Sequence, residues 1–238
     1  MPRICVITVV RDGAQFLEGT IQSVLEQKER VDLDYIVIDG GSTDGSVDII
    51  RRYSERLLYW VSEPDRGVYD AMNKGWAAAG DDSSILFLGA GDRIVSLPDH
   101  LERFGDKVVV YGMVRMGEDR VFHPRCDFHL KLYNSLHHQA LLVPKALHPA
   151  PPFDLRYRVY ADFDFNQRLA NSSARFVYSP QLIGYARPGG VSDRAGFVET
   201  LRIVYRNSGF LWAALAVSGY YAMKIFPLMK RLRPIRGI

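Results

Sequence analysis

The chain has 238 residues, 47% of them hydrophobic and 24% charged. That is enough apolar mass for one sizeable core, with no compositional excess of the kind that marks disorder or collagen. Two solitary cysteines, Cys5 and Cys126, exclude a disulfide framework and a cysteine-based zinc site and favour a reducing compartment. The formal net charge of +3 is unevenly spread: no acidic residue follows Glu199, whereas Arg202, Arg206, Lys224, Lys230, Arg231, Arg233 and Arg236 do. A slightly acidic body therefore carries a basic end suited to an anionic surface, and the acidic body argues against nucleic acid as the partner.

The continuous β-branched run Ile4-Cys5-Val6-Ile7-Thr8-Val9-Val10 ends at Arg11-Asp12-Gly13. It is too short for a signal-peptide core with its cleavage site, so nothing directs secretion, and it predicts a first strand buried on both faces of a parallel sheet. Phe16, Leu17, Thr20, Ile21, Val24 and Leu25 recur at helical spacing behind it. Tyr35 to Ile38 predicts a second strand, Ser46 to Glu55 a helix, Leu57 to Val61 a third strand, Tyr69 to Ala79 a helix and Ile85 to Leu88 a fourth strand. This alternation implies a mostly parallel α/β sheet of Rossmann-like type with helices on both faces. Beyond residue 100, Val108 to Val114 and Arg120 to Phe122 predict a hairpin turning at Met116-Gly117-Glu118-Asp119, and Asp162 to Ala170 a helix.

Ligands of an open parallel sheet bind where the strands end at their carboxyl side. Those ends carry Asp39 with Asp44, Glu63 with Asp65, and Asp92 after Gly89-Ala90-Gly91. Carboxylates crowded on one rim repel unless a cation or a hydroxylated ligand meets them. Neither a phosphate-cradling Gly-x-x-x-x-Gly-Lys loop nor a Gly-x-Gly-x-x-Gly turn is present, so a nucleotide diphosphate would be met by a divalent ion on an aspartate, with Asp92 best placed.

In this order and spacing, Ile38-Asp39-Gly40-Gly41-Ser42-Thr43-Asp44-Gly45, Ser62-Glu63-Pro64-Asp65-Arg66-Gly67-Val68-Tyr69-Asp70-Ala71-Met72-Asn73-Lys74-Gly75 and Phe87-Leu88-Gly89-Ala90-Gly91-Asp92 resemble the GT-A-type inverting glycosyltransferases of family 2. The resemblance runs from about residue 3 to 210. The second block, with His138-Gln139, Ala161-Asp162-Phe163-Asp164 and Gly189-Gly190-Val191-Ser192, resembles the colanic-acid-like subgroup that builds bacterial surface polysaccharides. Position by position, it implies that Thr8 and Asp39 hold the nucleoside, the Asp39 carboxylate accepting from a base N–H and so favouring UDP or dTDP. It implies Asp92 as the metal-contacting acid for Mn2+ or Mg2+, with Gly91 standing where the first acid of the Asp-x-Asp motif belongs. Asp162 falls at the catalytic base, with Asp164 as a rival that an Arg168 pair would make structural; if Asp162 caps its helix, Asp164 lies in the first turn.

Asp65 is a nucleotide contact or a stabiliser of its loop. Asn73 and Lys74 are candidates near the phosphates, although Asp70 and Lys74 also suit an exposed i,i+4 pair. His138 is expected at the diphosphate or acceptor; a metal shared with His137 is disfavoured because adjacent side chains diverge. His123, His129 and His148 are expected at the surface. Residues 207–238 form a separate segment after the catalytic domain of residues 1–206. Asn207 to Met223 is 17 residues without charge, short of the roughly 20 that span a bilayer, so the expectation is a helix lying at a membrane surface beside its basic flank; packing on the domain or in a dimer is the alternative.

These readings combine into an inverting, metal-dependent glycosyltransferase moving a sugar from a UDP or dTDP donor to a saccharide or lipid-linked acceptor. The expected location is the inner face of the cytoplasmic membrane. The rival, motivated by Gly91, is a nucleotide-sugar-binding or scaffold protein of the same fold that has lost catalysis.

Overall fold

A computed structural model describes residues 3–99, 104–105, 107–189 and 197–231. In chain order the elements are β1 (Arg3–Val10), α1 (Ala14–Lys28), β2 (Leu33–Asp39), α2 (Ser46–Tyr53), β3 (Tyr59–Ser62), α3 (Val68–Ala78), β4 (Ser83–Gly89), β5 (Arg93–Ser96), β6 (Val108–Met116), β7 (Arg120–Phe122), β8 (Leu141–Pro144), α4 (Ala161–Ala170), β9 (Arg175–Ala186), α5 (Phe197–Ser208) and α6 (Phe210–Arg231). The strands form one sheet in the order β3-β2-β1-β4-β8-β6-β9-β5, with β7 hairpinned onto β6. Strands β3, β2, β1 and β4 are parallel; β8 runs against β4 and β6, and β5 against β9.

Side chains alternate across each strand, and this splits the interior into two layers. Cys5, Ile7 and Val9 of β1 face α3, α4, α5 and α6, whereas Ile4, Val6 and Val10 face α1 and α2. The continuous apolar runs of β1, β2 and β4 exist because both faces are covered. On the first face, Ala213 and Ala216 of α6 enter the core beside Ile203 and Val204 of α5. Phe210, Leu211 and Leu215 of α6 point outward. No helix among the described residues is long and apolar enough to cross a membrane.

The structure extends the sheet beyond the elements expected from sequence, adding β5, β8 and β9. Strand β9 contains Pro180, and its pairing with β6 slips register between Tyr111 and Met113. Gly112 leaves room there for the Leu182 carbonyl, which any Cβ would strike.

His148, expected at the surface, is instead buried, ringed by Trp76, Phe87 and Phe165 at 6.4, 6.5 and 5.0 Å between ring centres. Its Nε2 lies 3.2 Å from the Val143 carbonyl, which a neutral ring satisfies. Burial pushes its pKa down to about 4. The unfolded chain takes up this proton near pH 6.5 and the folded chain only near 4, so stability present at neutral pH is lost as pH falls through that window, about 3 kcal/mol in all. Chemical denaturation at neutral pH and near pH 4.5 is expected to show a markedly smaller acid loss for His148→Phe than for the wild type; equal losses would refute the assignment.

Candidate active site

Four loops converge at the carboxyl ends of β1 to β4. Two are laced together before any ligand arrives: Asp12 Oδ1 accepts from the Thr43 amide at 2.9 Å, and Asp44 Oδ2 accepts from the Ala14 amide at 2.8 Å, capping α1 from the neighbouring loop. Asp39 ends β2 fully buried. Its Oδ2 accepts from the Gly41 and Ser42 amides and the Ser62 hydroxyl at 3.0, 2.9 and 2.7 Å. Its Oδ1 is buried with no hydrogen-bond partner among the described residues, an acceptor left for a donor from outside. Asp65 accepts from the Gly67 amide at 2.9 Å, with Arg11 Nη1 at 4.0 Å.

Two strands from Asp39, Asp92 is held at 7% exposure. Its Oδ2 accepts from the Gly89 amide at 2.9 Å and Gln139 Nε2 at 3.1 Å, and its Oδ1 from the Arg187 amide at 3.2 Å. Asp162, in the first turn of α4, is brought to the same centre. Its Oδ1 accepts from Tyr69 Oη at 3.0 Å and the Phe163 amide at 2.8 Å; its Oδ2 accepts from Asn134 Nδ2 at 3.0 Å. His138 stands between the two carboxylates, with Nδ1 3.4 Å from Asp162 Oδ2 and Nε2 4.0 Å from Asp92 Oδ2.

Electrostatics follow from this sandwich. Burial disfavours a charged His138, but the bond to Asp162 and the charges of Asp162 and Asp92 outweigh it and raise its pKa. Burial likewise disfavours the Asp162 carboxylate, yet His138, His137 and Tyr69 hold it below the usual carboxylate range. The pair therefore favours carboxylate facing imidazolium. His137 turns away to pack edge-on against Phe122, 4.2 Å between ring centres, and burial lowers its pKa.

Other candidates are engaged elsewhere. The Thr8 hydroxyl lies fully buried 2.9 Å from Tyr35 Oη. Asn73 gives both ends of its amide to the Phe153 peptide, at 2.9 and 3.0 Å. Lys74 binds the Pro64 carbonyl at 3.0 Å and Glu63 at 2.7 Å, and Asp70 pairs with Arg66, so the alternative Asp70–Lys74 pair is absent. Asp164 pairs with Arg168 at 2.8 Å. The helix begins at Ala161, so Asp162 is not its cap; Glu199 of α5 fastens the segment leading into it, accepting from the Val159 and Tyr160 amides at 2.9 and 2.6 Å. Neither Glu199 nor Arg187 was singled out from sequence. Of Gly189-Gly190-Val191-Ser192, only Gly189 lies within the described residues.

Gly91 explains its own identity. Its φ is +102°, and a Cβ there would lie 2.7 Å from Arg187 Cδ. The Arg187 guanidinium stacks 3.4 Å over the Phe16 ring, so a cation stands where a second acid would project. Among the described residues no group of three or more His, Cys, Asp or Glu side chains could hold a metal. Asp92 Oδ1, with one hydrogen bond, keeps a lone pair for a hard cation, which would fit here only if a ligand's phosphate oxygens and water completed its shell.

Residues 4–155 match the family described as Glycosyl transferase family 2. The chain belongs to that family. An uncharacterized glycosyltransferase of Mycobacterium tuberculosis is 36% identical over 184 residues, 71% of this chain and 69% of the relative. A PGL/p-HBAD biosynthesis glycosyltransferase of Mycobacterium bovis is 31% identical over 207 residues, 81% of this chain and 80% of the relative. The fold is the GT-A fold of this glycosyltransferase family: S. aureus TarS 1-349 in complex with UDP-GlcNAc matches with a TM-score of 0.67 at 16% identity, over 86% of this chain and 66% of that one. The mannosyltransferase PcManGT from Pyrobaculum calidifontis in complex with GDP-Man and Mn2+ matches at 0.59 and 18% identity, over 99% and 82%. Asp162 and Arg187 lie beyond the family match.

Gly91→Asp, which would write the missing acid into this family-2 site, is expected to destabilise the protein by roughly 1–3 kcal/mol and to add no Mn2+ affinity. Denaturation and calorimetry with UDP and Mn2+ measure both; tighter Mn2+ binding would contradict the steric account.

Proposed function

We propose that this chain is an inverting glycosyltransferase that moves a sugar from a UDP or dTDP donor to a hydroxyl of a saccharide or lipid-linked acceptor, with Asp162 as general base. The observation that carries this reading is the convergence of Asp162 and Asp92 on His138, which sets a buried carboxylate beside a centre of opposite charge. The complexes named for the structural neighbours, with UDP-GlcNAc and with GDP-Man and Mn2+, support a nucleotide-sugar donor, and the M. bovis relative's role in PGL/p-HBAD biosynthesis supports a glycolipid or surface-polysaccharide product.

The orphan Oδ1 of Asp39 suits the N3–H of uracil or thymine, a donor that guanine presents differently. Asp92 lies two strands away, about 10 Å by strand spacing, which suits a nucleoside at one end and its diphosphate at the other. Mn2+ or Mg2+ held by Asp92 would neutralise diphosphate charge. The Arg187 guanidinium and the cationic His138 add positive charge of the protein's own to the leaving group. As the acceptor oxygen bonds to the anomeric carbon from the opposite face, its proton passes to Asp162. The bond to the diphosphate breaks with its electron pair leaving on that oxygen, and the centre inverts. Asp162 Oδ2 is the receiving atom, because its contact with His138 at 3.4 Å is the longest of the four bonds to this carboxylate and the easiest to yield. A base below the ordinary carboxylate range is adequate, since the hydroxyl becomes acidic only as the new bond forms.

The apolar outward residues of α6 ahead of the basic end support contact with the cytoplasmic face of an anionic membrane, where each Lys or Arg contributes about 1 kcal/mol. Sedimentation with anionic vesicles is expected to carry down the wild type and to lose most Leu211→Glu/Leu215→Glu protein; equal recovery would remove the membrane from the reading.

Asp162→Asn is expected to lower kcat by two decades or more while UDP binds as in the wild type. In the same series, UDP or dTDP sugars with Mn2+ should raise Tm more than GDP sugars do. Wild-type turnover by Asp162→Asn would overturn the base assignment, and a wild type that binds donor without transferring sugar would favour the scaffold reading.

A further inference from the structure

A second cleft of about 550 Å3 includes Phe153 in its lining, and Phe153 packs against the ring of Tyr69, whose hydroxyl reaches Asp162. It shares two elements with the reaction centre. On α3, Tyr69 reaches Asp162 while Asp70 and Asn73 line the cleft, joined by Arg66 from the loop before the helix; on α4, Asp162 faces the centre while Asp164 and Arg168 face the cleft. Arg206 of α5 and Asp154 complete the polar lining.

The lining is arranged asymmetrically. In each of its three ion pairs the arginine side chain is the more exposed partner: Arg66 77% against 12% for Asp70, Arg206 50% against 23% for Asp154, and Arg168 30% against 2% for Asp164. The carboxylates are consumed beneath. Asp70 accepts from both the amide and the guanidinium of Arg66. Asp164 accepts from Arg168 and from Asn207 Nδ2, and Asp154 from Arg156 and Arg206. Asn73 is closed on the Phe153 peptide at both ends. Meanwhile Arg66 and Arg206 each commit a single guanidinium nitrogen, Nη2 and Nη1, within the described residues. The cleft thus presents surplus donors in fork geometry and few free acceptors, the reverse of what a neutral sugar, which needs both, would select.

We propose that this cleft binds an oxyanion, phosphoryl or carboxylate, carried by the acceptor, so that the enzyme transfers to an acidic saccharide or to one linked through phosphate. Naming the ligand as acceptor rests on the transferase reading; the anion site itself rests on the arginine pattern. The volume suits one or two sugar rings with their charged group.

Arginine side-chain NMR of the full chain saturated with UDP, titrated with methyl phosphate and separately with glucuronate, tests it. Saturable shifts at Arg66, Arg168 and Arg206 with millimolar affinity are expected, and the probe that produces them identifies the oxyanion. Arg66→Ala/Arg206→Ala should weaken the response about tenfold or more with UDP affinity unchanged, and Arg206→Lys, which keeps charge but loses the fork, should fall between. Arginines silent to both probes, or undiminished affinity in the double variant, would overturn the site. UDP binding is read in the same samples from signals around Asp39, and its absence would instead strike the transferase reading.

Discussion

Two carboxylates held on either side of one imidazole set the terms for the rest of the site. Asp92 and Asp162 come from opposite halves of the chain, and burying both would be prohibitive without compensating donors. Asp162 receives four hydrogen bonds and Asp92 three, and His138 adds a positive charge between them. Gln139 Oε1 stays buried without a partner among the described residues, but the donors aimed at the two carboxylates offset their desolvation. That explains why Tyr69, Asn134 and Gln139, from separate elements, all aim at this point, and why Asn166 in turn holds Asn134 at 3.0 Å.

The parallel half of the sheet provides the frame. Strands covered on both faces leave their carboxyl ends as the natural crevice, and each loop there is fastened to its neighbour. The charge pattern along this rim is graded: an unsatisfied acceptor at Asp39, a single carboxylate with three hydrogen bonds at Asp92, and the Arg187 guanidinium where a further acid would have crowded in. Positive charge at this rim is built into the fold through Arg187 and His138, and no dense carboxylate cluster stands beside it among the described residues.

Much of this was legible in the residues. The unbroken β-branched runs of β1, β2 and β4 announce strands covered on both sides, and the stripes of α1 and α3 announce the helices between them. Their places after strands pointed Asp39 and Asp92 to the crevice, whereas Asp162 was pointed there by the family resemblance alone. What stayed hidden depends on tertiary partners. Strand β9 holds Pro180 and β8 is four residues long, so local preference does not mark them. Asn73 looks like a ligand until Phe153, eighty residues later in the chain, is seen to occupy it. His148 carries a polar ring that only three surrounding aromatic side chains make a core residue. Arg187 is unremarkable as text, and its place above Phe16 exists only after β9 has joined the sheet.

The tie between α5 and the segment entering α4 bears on how the protein is made. Glu199 stands 37 residues after Asp162, yet it holds the Arg158, Val159 and Tyr160 amides just ahead of that helix. Until α5 has formed and docked, the segment entering the turn that bears Asp162 lacks the acceptor its backbone amides require. A chain emerging from its N-terminus assembles the Asp39 end of the crevice early and the Asp162 end last. The two ends of the crevice are therefore completed at different times, and the docking of α5 fixes the later one.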